Sequence, residues 1–463
     1  MDYLIRFIQT HETFRQPEIE AVAELNCIKF EWLAYSHDSP FAVIRFHGDN
    51  HEAAAKSLIS RSILTFAIYE LWGEGHDYDS LHTNIRGRTE SLWEQYRHAS
   101  FRFEVDSFHG SRSTNEQRDL MESLGYMGFQ GPIRMTKAEH HFTIFEDYKL
   151  DAPKPHRLFF GRQVAESGRK AVAKYTLKKR KYISTTSMDA ELSLVTANLA
   201  LSAPGRLGYD PFMGTGSFPL ACAHFGSAVF GSDMDGRSIR GKKGRTVRAN
   251  FEQYGTSSLY LDGFTADVTN TPLRRSRFLD SMVCDPPYGV REGLKVLGSS
   301  KAHLQQEVLL ADGTPAHLGA GYIPPKRPYS FVRMLDDILD FASELLVDGG
   351  RLCMWMPVAG APDDGAAAEA GAELAEADQV EEAEYSIPQH PALLLVSSCR
   401  QDFNKWSRRL LTYKRLADAS IDSDSMAIYR MQRLEYETHR SDGGATADEL
   451  NDFRRKYFQG FKT

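Results

Sequence analysis

The 463-residue sequence has only five cysteines: Cys27, Cys222, Cys284, Cys353 and Cys399. They lie far apart and four stand in apolar surroundings, so the chain offers neither a disulfide framework nor a Cys-x-x-Cys zinc site, and no metal site is expected. No apolar run approaches the length of a membrane span. The opening residues, Met1-Asp2-Tyr3-Leu4-Ile5-Arg6, alternate like a strand and do not read as a signal peptide. A soluble protein in a reducing, cytoplasmic compartment is the expectation. Internal repeats are absent. An excess of positive charge is lacking too, since the net charge is −7. That sum hides a strong asymmetry. Residues 360–384 hold nine acids and no base, and setting those nine aside leaves the rest of the chain at +2. Conversely, residues 162–181 hold eight bases against the single acid Glu166, ending in Lys178-Lys179-Arg180-Lys181, and residues 237–248 add six more. Basic runs are commonly just solvated faces, but distribution matters more than the total for a polyanion partner.

What the chain does contain is concentrated in four short segments. Residues 281–289 read Ser-Met-Val-Cys-Asp-Pro-Pro-Tyr-Gly. The apolar run before Asp285 predicts a buried strand, with Asp285-Pro286-Pro287-Tyr288 at its carboxyl end, where open α/β sheets bind ligands. Asp-Pro-Pro also makes a plain strand-terminating turn. Its chemical reading is more specific. The lone pair of an exocyclic amine on a nucleobase is delocalised into the ring, so a protein that alkylates it must accept hydrogen bonds from both N–H groups as the nitrogen turns toward sp³. Asp285 supplies one acceptor and the Pro286 carbonyl the other. Pro286 and Pro287 stiffen the turn, and the ring of Tyr288 offers a stacking surface for an extruded base.

Residues 207–217, Leu-Gly-Tyr-Asp-Pro-Phe-Met-Gly-Thr-Gly-Ser, predict a strand running into a glycine loop and then a helix from about Phe218. Gly214 and Gly216, flanking Thr215, allow close backbone approach to a ligand. Asp233 follows Asp210 by 23 positions at the end of a second strand, the spacing at which a carboxylate meets a ribose hydroxyl pair. The loop is not Gly-x-Gly-x-x-Gly. An acid at Asp210 opposing it suits a sulfonium bearing an amino acid better than a pyrophosphate, which implies S-adenosylmethionine as cofactor. Asp267, closing a third apolar segment, is placed to accept from an adenine amino group, although alone it reads equally well as a turn carboxylate.

The length predicts two or three domains. Residues 1–150 read as an α+β half: strands at 3–7, 28–35, 41–46, 101–105, 133–135 and 141–145, forming in part a second small sheet layer, with helices at 17–25 and 53–71. No catalytic cluster stands out there, which suits a substrate holder. Residues 151–185 read as a basic connector and 186–440 as the catalytic domain, with a capping box at Thr186–Asp189, a helix from Phe331 to Leu346, and strands at 351–357 and 393–396. Residues 293–329 read as a long active-site loop or lid, 360–384 as a disordered or weakly helical insertion, and 441–463 as a tail with a helix.

On these residues the chain resembles the eukaryotic tRNA (guanine-N2)-methyltransferases that act on guanosine ten. The matching segments are Phe160–Gln163, Thr186–Leu194, Asp210–Ser217, Gly231–Asp235, Asp285–Gly289, Phe403-Asn404 and Ser407–Tyr413. The resemblance implies a THUMP-containing, tRNA-binding amino-terminal half joined to a Rossmann-like class I methyltransferase domain. It also implies a cofactor site at Asp210, Phe212, Gly214, Gly216, Asp233 and Asp267, a catalytic tetrapeptide at Asp285–Tyr288, and a heterodimer with a small zinc-binding activator protein. Beside a base-modifying site, the run Lys178–Lys181 becomes an expected RNA contact. Two rival readings share the motifs: a methyltransferase for adenine N6 or an amide nitrogen, and a non-catalytic RNA-binding subunit.

Overall fold

A computed structural model of the chain describes residues 1–290, 293–299, 306–319, 322, 324–359, 387–403, 406–438 and 446–459. The expected acidic insertion at 360–384 lies outside them. The chain divides into two compact units, Met1–Lys174 and Tyr175–Thr463. No described helix is long and apolar enough to cross a membrane.

The first unit is built on one seven-stranded sheet, not on two layers of strands. Its strands are β1 (Asp2–Phe7), β2 (Phe30–Ala34), β3 (Phe41–Phe46), β4 (Thr65–Gly75), β5 (Phe101–Phe108), β6 (His140–Asp147) and β7 (Arg157–Glu166), in the order β2-β3-β1-β4-β7-β6-β5. Only β5 and β6 pair in parallel. Strand β7 falls within the stretch expected to be a connector and lies between β4 and β6. Its Arg162 is buried, bonded to Glu70 and Glu52, and so belongs to the sheet and not to a basic face.

Three further expectations fail in this unit. The helix predicted over 53–71 ends at Ile59, and β4 begins at Thr65. The buried Glu18 decides this. Its carboxylate accepts from Ser62 Oγ and from the backbone N–H groups of Ile63 and Leu64, fixing a turn that helical propensity alone would have run through. Residues 133–135 make only an isolated bridge from Ile133 to Phe101. The helix expected to start near Pro17 starts at Glu12, with Pro17 inside its second turn.

The second unit carries β8 (Leu207–Asp210), β9 (Ala228–Asp233), β10 (Tyr260–Thr265), β11 (Leu279–Cys284), β12 (Lys295–Leu297), β13 (Lys326–Pro328), β14 (Leu346–Ala359), β15 (Leu393–Asp402) and β16 (Trp406–Arg415). Its main sheet runs β10-β9-β8-β11-β14-β16-β15, parallel as far as β14 and antiparallel from there. Sequence reading supplied β14 and β15 but did not place β16 between them. Strands covered on both faces carry continuous buried apolar runs, as at Met282–Cys284 in β11 and Leu352–Met356 in β14.

The helix Phe331–Leu345 packs on this sheet through Phe331, Met334, Leu335, Ile338, Leu339, Ala342 and Leu345, all buried. Each such side chain contributes about 1.5–3 kcal/mol on burial. The ends of the segment expected to be a lid pair with each other as the ribbon β12-β13. Strand order reverses between β8 and β11, so the carboxyl ends of β8 to β11 open a crevice there.

Candidate active site

Every candidate cofactor and catalytic side chain predicted from sequence is brought to that crevice. Asp210, Asp233, Asp267 and Asp285 follow or end β8, β9, β10 and β11 respectively. Together with Phe212, Gly214, Thr215 and Asp285–Tyr288 they line one cavity of about 610 Å³. Gly216 closes the loop beside it, with φ at +82°, and a Cβ there would lie 2.9 Å from Val247 Cγ1. Both constraints call for glycine.

Side chains already present knit the loop. Asp210 is 1% exposed, and its Oδ1 accepts from the Phe212 N–H. Gly214 N–H donates to Asp233 Oδ2 at 2.9 Å, while Asp233 Oδ1 accepts from the Asp235 N–H. The Thr215 hydroxyl meets Ser187 Oγ at 2.7 Å, and the Thr215 carbonyl accepts from Asn250. The expected capping box at Thr186–Asp189 resolves into a cap by Asp189 alone, which accepts from the Leu192 N–H and leaves Ser187 to hold Thr215. Asp267 uses both oxygens locally. Oδ1 accepts from Thr269 and the Asn270 N–H, and Oδ2 from the Leu297 N–H, tying the turn after β10 to β12. Oδ1 is thereby saturated, while Oδ2, with a single donor, keeps a further lone-pair direction for a ligand.

Burial pushes Asp210 well above the ordinary carboxylate range, and the nearby charges of Asp233 and Asp285 push it further. Burial also raises Asp233 and Asp285. A set of desolvated, mutually repelling carboxylates is stabilised by a cation and opposed by a pyrophosphate. The donor set therefore fits the sulfonium and amino-acid portions of S-adenosylmethionine.

At the catalytic motif, burial raises the Asp285 carboxyl above its ordinary range. The Tyr288 hydroxyl donates to Asp285 Oδ1 at 2.5 Å, and its ring, which lines the cavity, sits edge-on to Trp406 and Phe453. A stacked aromatic pair does stand at this site: Phe403 and Trp406, with centroids 4.4 Å apart and planes 13° from parallel, and Trp406 lines the cavity.

Sequence reasoning did not single out Arg408 of β16. Its guanidinium lies over the Trp355 ring, its Nε donates to Gln401, and its Nη1 stands 4.0 Å from Asp285 Oδ2. The motif Ser407–Tyr413 contained it, but only the pairing of β16 with β14 reveals the contact. Lys295 lines the cavity as well and was also missed.

The basic run separates in the same way. Lys178, Lys179 and Lys181 are exposed. Arg180, expected to join them on RNA, is 6% exposed, and its Nη1 donates to Ser217 Oγ at the start of the helix after the glycine loop. Burial has turned that cation into a structural brace. Just after this run, the Tyr182 hydroxyl donates to the Ser238 carbonyl in the second basic segment, 237–248, and the Tyr182 backbone exchanges hydrogen bonds with Asn250 in the helix Val247–Tyr254.

The sheet order, the glycine loop after its first strand and the Asp-Pro-Pro-Tyr turn after its fourth define a class I, Rossmann-like methyltransferase that uses S-adenosylmethionine. Residues 178–303 match the RMKL-like methyltransferase domain family, and residues 1–169 match the Tmrp11 THUMP N-terminal domain. The chain belongs to the tRNA (guanine(10)-N(2))-methyltransferase family. It is 40% identical to the enzyme of that name from Saccharomyces cerevisiae, across 99% of each chain. It is 35% identical to that of Schizosaccharomyces pombe, across 98% of this chain and 96% of the relative. It is 30% identical to that of Homo sapiens, across 99% and 95%.

Proposed function

We propose that this chain methylates the exocyclic N2 amine of guanosine 10 in tRNA, as the catalytic subunit of a heterodimer with a small zinc-binding activator. The observation that carries the chemistry is the convergence of Asp210, Asp233, Asp267 and Asp285 on one cavity, with the Asp285 side chain still 24% exposed. The substrate and partner rest on family membership. Bound S-adenosylmethionine supplies the electrophilic methyl group. Asp285 and the Pro286 carbonyl accept from the two amine hydrogens, leaving the nitrogen lone pair free to react. The proton lost after N–C bond formation passes to Asp285 and then to water. Holding the amine in this near-attack geometry is worth up to about 7–11 kcal/mol. Asp233 and Asp267 serve the ribose and adenine of the cofactor. The amino-terminal half holds tRNA, and Lys178, Lys179 and Lys181 contact its phosphates.

The test compares two tRNA transcripts, one carrying guanosine and the other inosine at position 10. Inosine lacks only the N2 amine. With a labelled methyl donor and co-expressed activator, label should appear as N2-methylguanosine in the first and be absent from the second. Asp285→Ala should abolish it without loss of cofactor binding. Label in adenine, or equal labelling of both transcripts, overturns the assignment.

A further inference from the structure

The residues that follow the catalytic tetrapeptide are held from a distant part of the chain. Asn451 is 3% exposed, and its Nδ2 donates to the backbone carbonyl of Tyr288 at 2.9 Å. The same amide caps the helix Asp452–Gln459, its Oδ1 accepting from the Arg454 N–H at 3.0 Å. Arg454 then reaches back, its Nη1 donating to the carbonyls of Gly289 and Val290 at 2.7 and 2.5 Å, while its Nε is held by Asp448. Between them Phe453, fully buried, lies edge-on to Tyr288 and packs on Trp406. One residue before Asn451, the Leu450 carbonyl accepts from the Phe331 N–H, anchoring the segment to the first turn of the helix Phe331–Leu345. Three consecutive carbonyls just after Pro287 thus take donors from two side chains of residues 446–459. The fit is close: a Cβ on Gly289 would meet Asn451 Nδ2 at 2.7 Å.

We infer that the carboxyl-terminal segment 446–459 is a positioning clamp for the catalytic turn, with Asn451 and Arg454 fixing the backbone that carries Asp285 and Tyr288. The inference rests on the assignment of Asp285–Tyr288 as the catalytic motif. None of the clamp hydrogen bonds described above touches the glycine loop or Asp233. Loosening the clamp therefore acts on turnover and not on cofactor affinity, because a transition-state geometry is lost while a ground-state site is kept.

The decisive variant is Asn451→Asp. Aspartate caps a helix as well as asparagine does, so the helix is retained. The donor to Tyr288 becomes an acceptor facing an acceptor. In the full-length chain with its activator, turnover is measured per cofactor-binding site by titration, so that any misfolded fraction drops out. We expect kcat to fall at least about ten-fold, the scale of one lost buried hydrogen bond plus an unsatisfied carbonyl, with the Kd for S-adenosylmethionine unchanged within about two-fold. Arg454→Met should act in the same direction. Arg455→Ala, on the same helix but exposed and paired with the exposed Asp452, should leave kcat unchanged. If Asn451→Asp and Arg454→Met both retain full kcat per site while Asp285→Ala is inactive, the clamp is wrong and the catalytic motif stands. If Asp285→Ala is itself active, the underlying assignment fails first.

Discussion

Replacing Arg408 with methionine tests how the cavity keeps Asp285 ionised. Methionine preserves the apolar contact with Trp355 but removes the charge 4.0 Å from Asp285 Oδ2. Two unit charges at that separation interact by about 4 kcal/mol at an effective dielectric constant of 20, which is a ceiling. Opposite charges at this range lower a carboxyl pKa by about 1–3 units, each unit being about 1.4 kcal/mol. Asp285 is 24% and Arg408 13% exposed, and this partial solvation places the effect near the lower end. Burial already raises Asp285, and the Tyr288 hydroxyl and Arg408 both pull it back. Without Arg408 the Asp285 pKa rises further. Because the ionised carboxylate is the stronger acceptor for the amine and the form able to take its proton, the acid limb of kcat/KM should move to higher pH. The variant should regain most of its rate above both limbs. The assay is a kcat/KM profile for tRNA between about pH 5 and 9 at saturating cofactor. A uniform loss at every pH with an unmoved limb refutes the coupling of Arg408 to Asp285.

Other outcomes follow from the same geometry. Asp210→Asn should stabilise the fold while weakening cofactor binding. The folded-state pKa of Asp210 lies well above its ordinary 3.8, so its ionisation costs stability. That cost is absent below about 3.8 and grows as pH rises through the folded value, so the variant's advantage in Tm should widen toward neutral pH; an advantage that shrinks with rising pH contradicts it. Gly216→Ala should lose about 1–3 kcal/mol in denaturant unfolding, from positive φ and the contact with Val247; an unchanged midpoint would show that the loop relaxes freely. Neutralising Lys178, Lys179 and Lys181 together should flatten the salt dependence of tRNA binding by up to about three units of log–log slope. Arg180→Met should instead lower Tm, because it removes the brace to Ser217; if Arg180→Met flattens the slope at unchanged Tm, the division between them is wrong.

The motifs were legible in the sequence because each is local. A glycine loop, an acid at the end of an apolar run and a proline-stiffened turn need only a few neighbouring residues to declare their chemistry, and parallel topology then brings four successive strand ends to one edge. The helix Phe331–Leu345, from its apolar periodicity, and the cofactor class, from the glycine loop and its acids, were legible for the same reason. Tertiary structure alone decided the rest. Glu18, more than forty residues upstream in sequence, ends a helix at Ile59 and lets β4 begin. Burial withdraws Arg162 and Arg180 from an apparent basic face. Strand β16 inserts beside β14 and thereby sets Arg408 and Trp406 against a motif more than 115 residues earlier, and Asn451 reaches Tyr288 across 163 positions. No local pattern encodes these contacts. They depend on register and on which charges find partners once water is excluded, and both are properties of the packed chain.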